Sequence, residues 1–297
     1  MKISYYPGCT LKTKAKNLEE AAVASMAALG VDFQELPRWN CCGAVHSLTD
    51  DDLIHQVAPV RDLVRALEQG SDKVVTLCSM CYNTLARANL LMKNDETKRK
   101  TINDFMNEEK DYAGEVEVLH FLTFLRDQVG WDALRSKVKT PLTGLKIASY
   151  YGCTLVRPRD VAIEAAGSTE LMQDFIKAIG AEPVQFADAT TCCGSYQILA
   201  NPGAALDAVS RIIETAAKAG ADALVLSCPL CEYSLARKQD ELIQQKKVSR
   251  QLPVYYFTQL LAVALGLGPE AYRLDLNEKS SLELLKARKF PVEATAA

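Results

Sequence analysis

Ten cysteines carry the clearest chemical signal in this 297-residue sequence, because they fall into two matching sets of five with none left over. The first set, spaced Cys-x31-Cys-Cys-x35-Cys-x2-Cys, consists of Cys9, Cys41, Cys42, Cys78 and Cys81. The second set, spaced Cys-x38-Cys-Cys-x34-Cys-x2-Cys, consists of Cys153, Cys192, Cys193, Cys228 and Cys231. Cysteines kept only for packing would have no reason to repeat a spacing, so the sets indicate two related chemical sites.

Disulfide bonds explain these sets poorly. Each set holds an odd number of thiols, and a bond between the adjacent Cys41 and Cys42 would close a strained ring. The N-terminal sequence runs directly into a strand pattern without an apolar leader, so we expect a cytoplasmic protein whose thiols stay reduced. Clustered thiols in that compartment are typical of metal or redox sites.

Two kinds of metal site compete for the thiols. Structural zinc takes four thiolates in a tetrahedron, which would leave one cysteine of each set unused. Iron–sulfur clusters are also held by thiolates, commonly four. Five thiolates that include an adjacent pair suit a cluster of unusual shape, or one thiolate that bridges two irons. The residues therefore favour iron–sulfur clusters, and zinc in one half remains an alternative.

The overall composition is that of a soluble globular protein, with 48% hydrophobic and 24% charged residues. A net charge of −3 gives no reason to expect binding to nucleic acid or to an acidic membrane surface. The longest apolar run near the C-terminus, residues 260–267, is too short to span a bilayer.

The elements that must position the cysteines repeat as well. Each half predicts a β-α-β-α-β-α-β-α order, in which the opening strand at 2–6 and helix at 17–29 recur at 145–150 and 170–179. This pattern predicts an α/β fold with two similar Rossmann-like, parallel-sheet domains that arose by duplication and are related by a pseudo-twofold. We expect the first domain at 1–143 and the second at 144–297, including a C-terminal tail.

Four cysteines directly follow predicted strands. These are Cys9, Cys78, Cys153 and Cys228. Binding sites of open α/β sheets form beyond the carboxyl ends of the strands, and both Cys-Cys-Gly units precede predicted helices. We therefore expect the five thiols of each half to converge, with Gly43 and Gly194 allowing the backbone to approach a bulky cofactor.

A few other residues are candidates for substrate chemistry. His46 lies four residues after Cys42 and could donate a proton to a leaving thiolate, whereas the second half has Gln197 at the matching place. An ordinary loop histidine bonded to backbone is the alternative.

Three cations lie shortly after the first cysteine of a set and could bind the anionic groups of a substrate. They are Lys12, Arg157 and Arg159. Ordinary solvated surface charge is the alternative for each of them.

At these cysteines the sequence resembles the cysteine-rich CCG domain family. The first half fits the family pattern fully, and the second half fits except that its last gap is one residue short. Over its whole length, including the opening Tyr-Tyr-Pro-Gly-Cys, the chain is similar to the B subunits of heterodisulfide reductases.

The resemblance implies that each set of five cysteines binds a non-cubane [4Fe-4S] cluster. It also implies that the two clusters face each other and split the coenzyme M–coenzyme B disulfide of methanogenesis. Electrons would arrive from a ferredoxin-like subunit, which in turn receives them from a flavin-containing subunit. Related proteins occur in sulfur-oxidising, succinate dehydrogenase-type and other redox complexes, so a cluster-bearing electron relay is the alternative function.

Overall fold

Two four-stranded parallel sheets, one in each half, form the framework of the molecule. The computed structural model describes residues 1–44 and 53–293. The first sheet has the order β2-β1-β3-β4 and contains β1 (Lys2–Tyr6), β2 (Asp32–Glu35), β3 (Lys73–Thr76) and β4 (Glu117–His120). The second sheet has the order β6-β5-β7-β8 and contains β5 (Lys146–Ser149), β6 (Glu182–Val184), β7 (Ala223–Leu226) and β8 (Val254–Tyr256). This repeated architecture confirms the predicted α/β fold with two similar halves.

Helices follow the strands in both halves. In the first half they are α1 (Lys16–Ala28), α2 (Val57–Glu68), α3 (Ser79–Asn94), α4 (Glu96–Phe105), α5 (Phe121–Phe124) and α6 (Trp131–Lys137). In the second half they are α7 (Glu170–Ala178), α8 (Pro202–Lys218), α9 (Pro229–Arg237), α10 (Gln239–Gln244), α11 (Phe257–Ala264), α12 (Pro269–Tyr272) and α13 (Lys279–Ala287). No described helix is long and apolar enough to cross a membrane.

The second predicted helix differs in detail from the observed one. We expect it over 49–69 with a bend at Pro59, but a 3-10 turn at Leu53–Gln56 leads into α2, which begins at Val57. Pro59 thus lies in the first helical turn, where its missing N–H breaks no intrahelical hydrogen bond. The expected helix start at Thr49 lies outside the described residues.

The strand order creates a binding crevice in each sheet. β1 pairs with β2 on one side and with β3 on the other, so the chain reverses its direction of winding between β1 and β3. Ligands of open α/β sheets bind at this switch point, beyond the carboxyl ends of the strands. Cys9 follows β1 and Cys78 follows β3, and the second half repeats this arrangement with β5 and β7.

One hydrophobic core runs through both halves. Helix α1 packs on α11, and Thr258 donates a hydrogen bond to the Leu18 carbonyl at 2.9 Å. The Phe257 ring contacts Phe121 of the first half and Phe175 of the second, each with 5.6 Å between ring centroids. The boundary at 143 and 144 remains a prediction, because burial does not divide the molecule there.

Candidate metal centres

The structure brings the first cysteine set together at the β1/β3 crevice. The Cys9 and Cys41 sulfurs lie 3.5 Å apart, and the Cys42 and Cys81 sulfurs lie 3.7 Å apart. Cys41 also contacts Cys42, and Cys81 contacts Cys78, so the five sulfurs form a continuous line. Cys78 is the N-cap of α3 and Cys81 lies in its first turn, as expected for a Cys-x2-Cys unit that enters a helix.

The second set repeats this line in the other half. The Cys193 and Cys231 sulfurs lie 3.4 Å apart. Cys192 contacts both Cys153 and Cys193, and Cys231 contacts Cys228. The two sets were predicted from spacing alone, and their side chains do converge as predicted. Their role as metal ligands is a proposal.

The two lines of sulfurs meet at the boundary between the halves. Cys78 and Cys228 are hydrogen-bonded to each other and are both buried. Next to them, the Ser79 and Ser227 hydroxyls lie 2.7 Å apart in the buried interior. All ten sulfurs therefore lie along one path across the molecule, a juxtaposition that spacing within either half does not reveal.

Burial differs along this path. Both inner ends are buried, whereas Cys9, Cys41 and Cys192 are exposed and Cys153 is half-buried. Solvent and small molecules therefore reach each set from its outer end.

The chemistry of the donor set fits iron–sulfur clusters. Each half gathers five thiols, and backbone N–H groups point at the sulfurs, including those of Cys81 toward Cys78 and Cys231 toward Cys228. Such N–H groups stabilise thiolates and tune the potential of bound clusters. Among residues 1–44 and 53–293, no three His, Cys, Asp or Glu side chains are arranged around a point that could hold one metal ion.

Contacts between neighbouring sulfurs shift the pKa values of the thiols in both directions. Hydrogen bonds from Cys41 and Cys81 hold the pKa of Cys42 well below its usual value. Hydrogen bonds from Cys153 and Cys193 lower the pKa of Cys192 to about 2. The pKa of Cys41 is raised mainly by its hydrogen bond to Cys42.

Two glycines outside the residues predicted from the sequence shape the sites. Gly8 and Gly152 have φ values of +75° and +67°, and a Cβ would lie 2.8 Å from the Cys81 sulfur and 3.4 Å from the Cys231 sulfur, respectively. The Gly194 that we expected to face a cofactor instead approaches α8, where a Cβ would lie 2.9 Å from the Ala205 Cα. The signal for Gly8 and Gly152 was the Gly-Cys dipeptide that opens both sets.

The three predicted cations lie in different surroundings. Lys12 forms ion pairs of 2.6 Å with both Glu19 and Glu35, so two carboxylates compensate its charge. Arg157 and Arg159 line a cavity of about 590 Å³ beside the second set. Residues 156–170 and 185–190 form most of its wall.

Arg157 lies close to the second thiol set. Its guanidinium donates to the Thr190 carbonyl at 3.1 Å, and its charge helps to lower the pKa of Cys192. His46, the predicted proton donor, lies outside the described residues. Its counterpart Gln197 lies in the 3-10 turn Ser195–Gln197.

His120 is a structural residue that the sequence pattern placed only as part of a strand. It is fully buried at the end of β4, where its Nε2 lies 3.2 Å from the Leu77 carbonyl and its Nδ1 accepts from the Leu122 N–H at 3.3 Å. Nε2 therefore carries the proton and donates to Leu77. Burial lowers the pKa of His120 to about 3, so the ring is neutral and supports the residue before Cys78.

Comparison with known proteins also divides the chain into two similar halves. Residues 3–86 and 147–236 each match the cysteine-rich domain (CCG) family. The 8-methylmenaquinol:fumarate reductase membrane anchor subunit of Wolinella succinogenes is 34% identical, over 92% of this chain and 95% of the relative. The B subunit of the ferredoxin/F420H2-dependent CoB-CoM heterodisulfide reductase of Methanosarcina acetivorans is 31% identical, over 96% of both chains.

One solved structure shows the fold. A hypothetical protein from Helicobacter pylori superimposes with a TM-score of 0.71 at 13% sequence identity, covering 93% of this chain. This chain spans about half the length of that protein, at 51%.

Proposed function

Because the chain belongs to the cysteine-rich CCG domain family and resembles the B subunit of heterodisulfide reductase, we propose that it is the catalytic subunit of a heterodisulfide reductase-type complex. Its proposed reaction is the reduction of a small-molecule disulfide, with the coenzyme M–coenzyme B heterodisulfide or a related compound as substrate. The observation that carries the proposal is the gathering of five thiols in each half into lines that meet at Cys78 and Cys228.

We propose one [4Fe-4S] cluster, of the non-cubane type, for each set of five thiols. The first would be held by Cys9, Cys41, Cys42, Cys78 and Cys81, and the second by Cys153, Cys192, Cys193, Cys228 and Cys231. When bound, the clusters would supply the two electrons that disulfide reduction requires.

The protein's own residues would bind and orient the substrate. Arg157 and Arg159 would hold an anionic group in the cavity beside Cys192, which brings the disulfide to the exposed end of the second set. We keep His46 as the proposed proton donor. Lys12 contributes less to this proposal, because Glu19 and Glu35 already pair with it.

The reaction balances with external donors. Breaking the disulfide bond takes up two electrons and two protons and releases two thiols. We propose that a ferredoxin-like subunit delivers the electrons, that a flavin-containing subunit supplies this carrier, and that the complex works in the cytoplasm.

Iron and acid-labile sulfide analysis of the anaerobically purified chain tests the cofactors. Two four-iron clusters predict about eight irons per chain with broad visible absorption. About two irons or fewer would refute them, and zinc without iron would indicate the alternative of a zinc-stabilised structural module.

Thiol release then tests the reaction. The iron-loaded chain is given a heterodisulfide and a reduced electron donor, and free thiols are counted against a sample without donor. Two thiols per disulfide consumed are expected.

A second candidate is an electron relay that passes electrons between a quinol and another protein of the complex. The 34% identity to the quinol:fumarate reductase anchor subunit favours it. Intact clusters that release no thiol from disulfides, but are reduced by a menaquinol analogue, would support the relay over the reductase.

A further inference from the structure

A tyrosine hydroxyl and an aspartate hold the residue that precedes the first Cys-Cys pair. The Tyr6 hydroxyl donates to the Asn40 carbonyl at 2.8 Å. The Asn40 backbone N–H donates to Asp62 at 2.9 Å, and its side-chain amide donates to the other Asp62 oxygen at 3.3 Å. Asn40 is thereby held from both sides immediately before Cys41.

The second half contains the same arrangement with a different central residue. The Tyr150 hydroxyl donates to the Thr191 carbonyl at 2.6 Å. The Thr191 hydroxyl donates to Asp188 at 2.9 Å, and Thr191 immediately precedes Cys192. In both halves, therefore, the residue before the Cys-Cys pair accepts from a tyrosine and donates its side chain to an aspartate, although Asp62 belongs to α2 and Asp188 lies in the turn that leads into Thr191.

Both phenols face the thiols of their own half. Tyr6 and Tyr150 have only 0% and 1% of their surface exposed. Burial is the main cause that raises the pKa of each phenol, and the neighbouring thiol charges raise it further, led by Cys81 for Tyr6 and Cys231 for Tyr150. Each hydroxyl donates to the carbonyl that directly precedes its own Cys-Cys pair.

Tyr255 is a buried tyrosine that lies away from the thiols. Tyr255 lies on β8 and donates its hydroxyl to the Ser281 carbonyl, and burial alone raises its pKa. It has the same burial and the same kind of acceptor as Tyr6, but no thiol acts on it. The variant Tyr255→Phe therefore shows what the loss of a buried hydroxyl does to the protein when the cysteine sets are not involved.

We infer that Tyr6 and Tyr150 are positioning residues that fix the two Cys-Cys pairs against the thiols on α3 and α9. Each acts through the carbonyl before its pair, and each serves only its own half. The consequence for cluster loading rests on the proposed function, whereas the effect on thiol position does not.

The test compares Tyr6→Phe and Tyr150→Phe with Tyr255→Phe and the unaltered chain. The reduced, metal-free full chain is treated with an alkylating reagent, and the labelling rate of each cysteine is read by mass spectrometry. In Tyr6→Phe, Cys42 should label about fivefold faster, the factor expected from losing one hydrogen bond of ordinary strength, while Cys193 keeps its rate. Tyr150→Phe should show the reverse, and Tyr255→Phe should change neither.

Iron loading gives a second readout. Each variant should lose iron from one site, so that its content falls toward half, and the electron paramagnetic resonance signal of the other site should remain. Equal labelling and equal iron in the Tyr6, Tyr150 and Tyr255 variants would overturn the inference. Altered labelling in a chain that never binds iron would instead refute the proposed cofactors and leave the positioning role intact.

A folding control keeps the test decisive. Far-ultraviolet circular dichroism must match the unaltered chain. If Tyr6→Phe fails to fold, Tyr150→Phe and Asp188→Asn test the same arrangement in the second half, where Cys193 labelling should rise in both. Unchanged Cys193 labelling in both folded variants would contradict the inference.

Discussion

At the scale of single residues, burial gives His120 a measurable effect on stability. Its ring stays neutral inside the protein, with a pKa lowered to about 3, whereas the unfolded chain takes up a proton near pH 6.5. Below that pH the unfolded state therefore binds the additional proton. Stability should fall as pH drops from 6.5 toward 3.

We predict that His120→Gln removes this dependence while its amide can still donate to the Leu77 carbonyl. Relative to pH 7, His120 should cost the unaltered chain about 2 kcal/mol of stability at pH 5. Urea unfolding of both proteins at the two pH values measures the difference. The control His55→Gln, at a half-buried histidine outside the core, should leave the pH dependence in place.

The cations of the second half should act on substrate binding. Replacing Arg157 and Arg159 together by Gln should raise KM for an anionic disulfide about 10- to 100-fold and change kcat little, because a charged hydrogen bond is lost in both ground and transition states. Lys12→Gln is the matched comparison. A larger effect of Lys12→Gln on KM would show that substrate binds near the first set instead.

At the scale of elements, the turn after β1 brings backbone unusually close to a sulfur. Gly8→Ala should destabilise the protein more than Gly30→Ala, because both residues have φ near +75° but a Cβ at Gly30 meets nothing within 4 Å. The control should cost about 1 kcal/mol for the backbone conformation alone. Chemical denaturation measures both, and equal losses would show that the Cys81 sulfur moves aside freely.

The strands and most helices were predictable because their signals are local. β3 reads Lys-Val-Val-Thr, and its run of β-branched residues favours a buried strand without help from distant parts of the chain. Pro229 begins α9, because proline is favoured at the first helical position, where its missing N–H breaks no hydrogen bond. Spacing also indicated correctly which cysteines meet, because the carboxyl ends of parallel strands share one edge.

Contacts between the halves were not predictable from local patterns. Asn83 on α3 donates to the Thr154 and Arg157 carbonyls at 2.8 and 2.7 Å, across some seventy residues of sequence. Nothing near Asn83 distinguishes it from a solvent-facing helical residue. The roles of His120 and Tyr150 escaped for the same reason, because each is defined by a distant carbonyl.

At the scale of the whole molecule, the duplicated sites should load separately. Cys42→Ala should lower iron to about half and leave the spectrum of the second site, since each set lies in its own crevice. Cys193→Ala is the mirror control. Loss of both clusters in either variant would mean that the contact of Cys78 with Cys228 couples assembly of the two sites.

The continuous core makes a different prediction for folding. Residues 1–143 and 144–297, expressed separately, should each expose the faces on which α1 and α11 pack, and should aggregate or remain partly unfolded. Mixing both pieces should restore the circular dichroism of the full chain. Independent, cooperative unfolding of either piece would show that the predicted boundary separates true domains.

The hydrogen-bonded hydroxyls of Ser79 and Ser227, between the two halves, show that the two repeats have become different from each other. Ser79 follows the first cysteine of its Cys-x2-Cys unit, where the second repeat has Pro229. Ser227 precedes the first cysteine of its unit, where the first repeat has Leu77, so the two serines are not equivalent positions. Two copies of the first repeat would set Ser79 against leucine, and two copies of the second would set Ser227 against proline. A protein built from two copies of either repeat would leave one buried serine hydroxyl without a hydrogen-bond partner, which would lower its stability by about 1–3 kcal/mol. The hydrogen bond between Ser79 and Ser227 forms only between two different repeats, so replacing either repeat by a copy of the other would lose it.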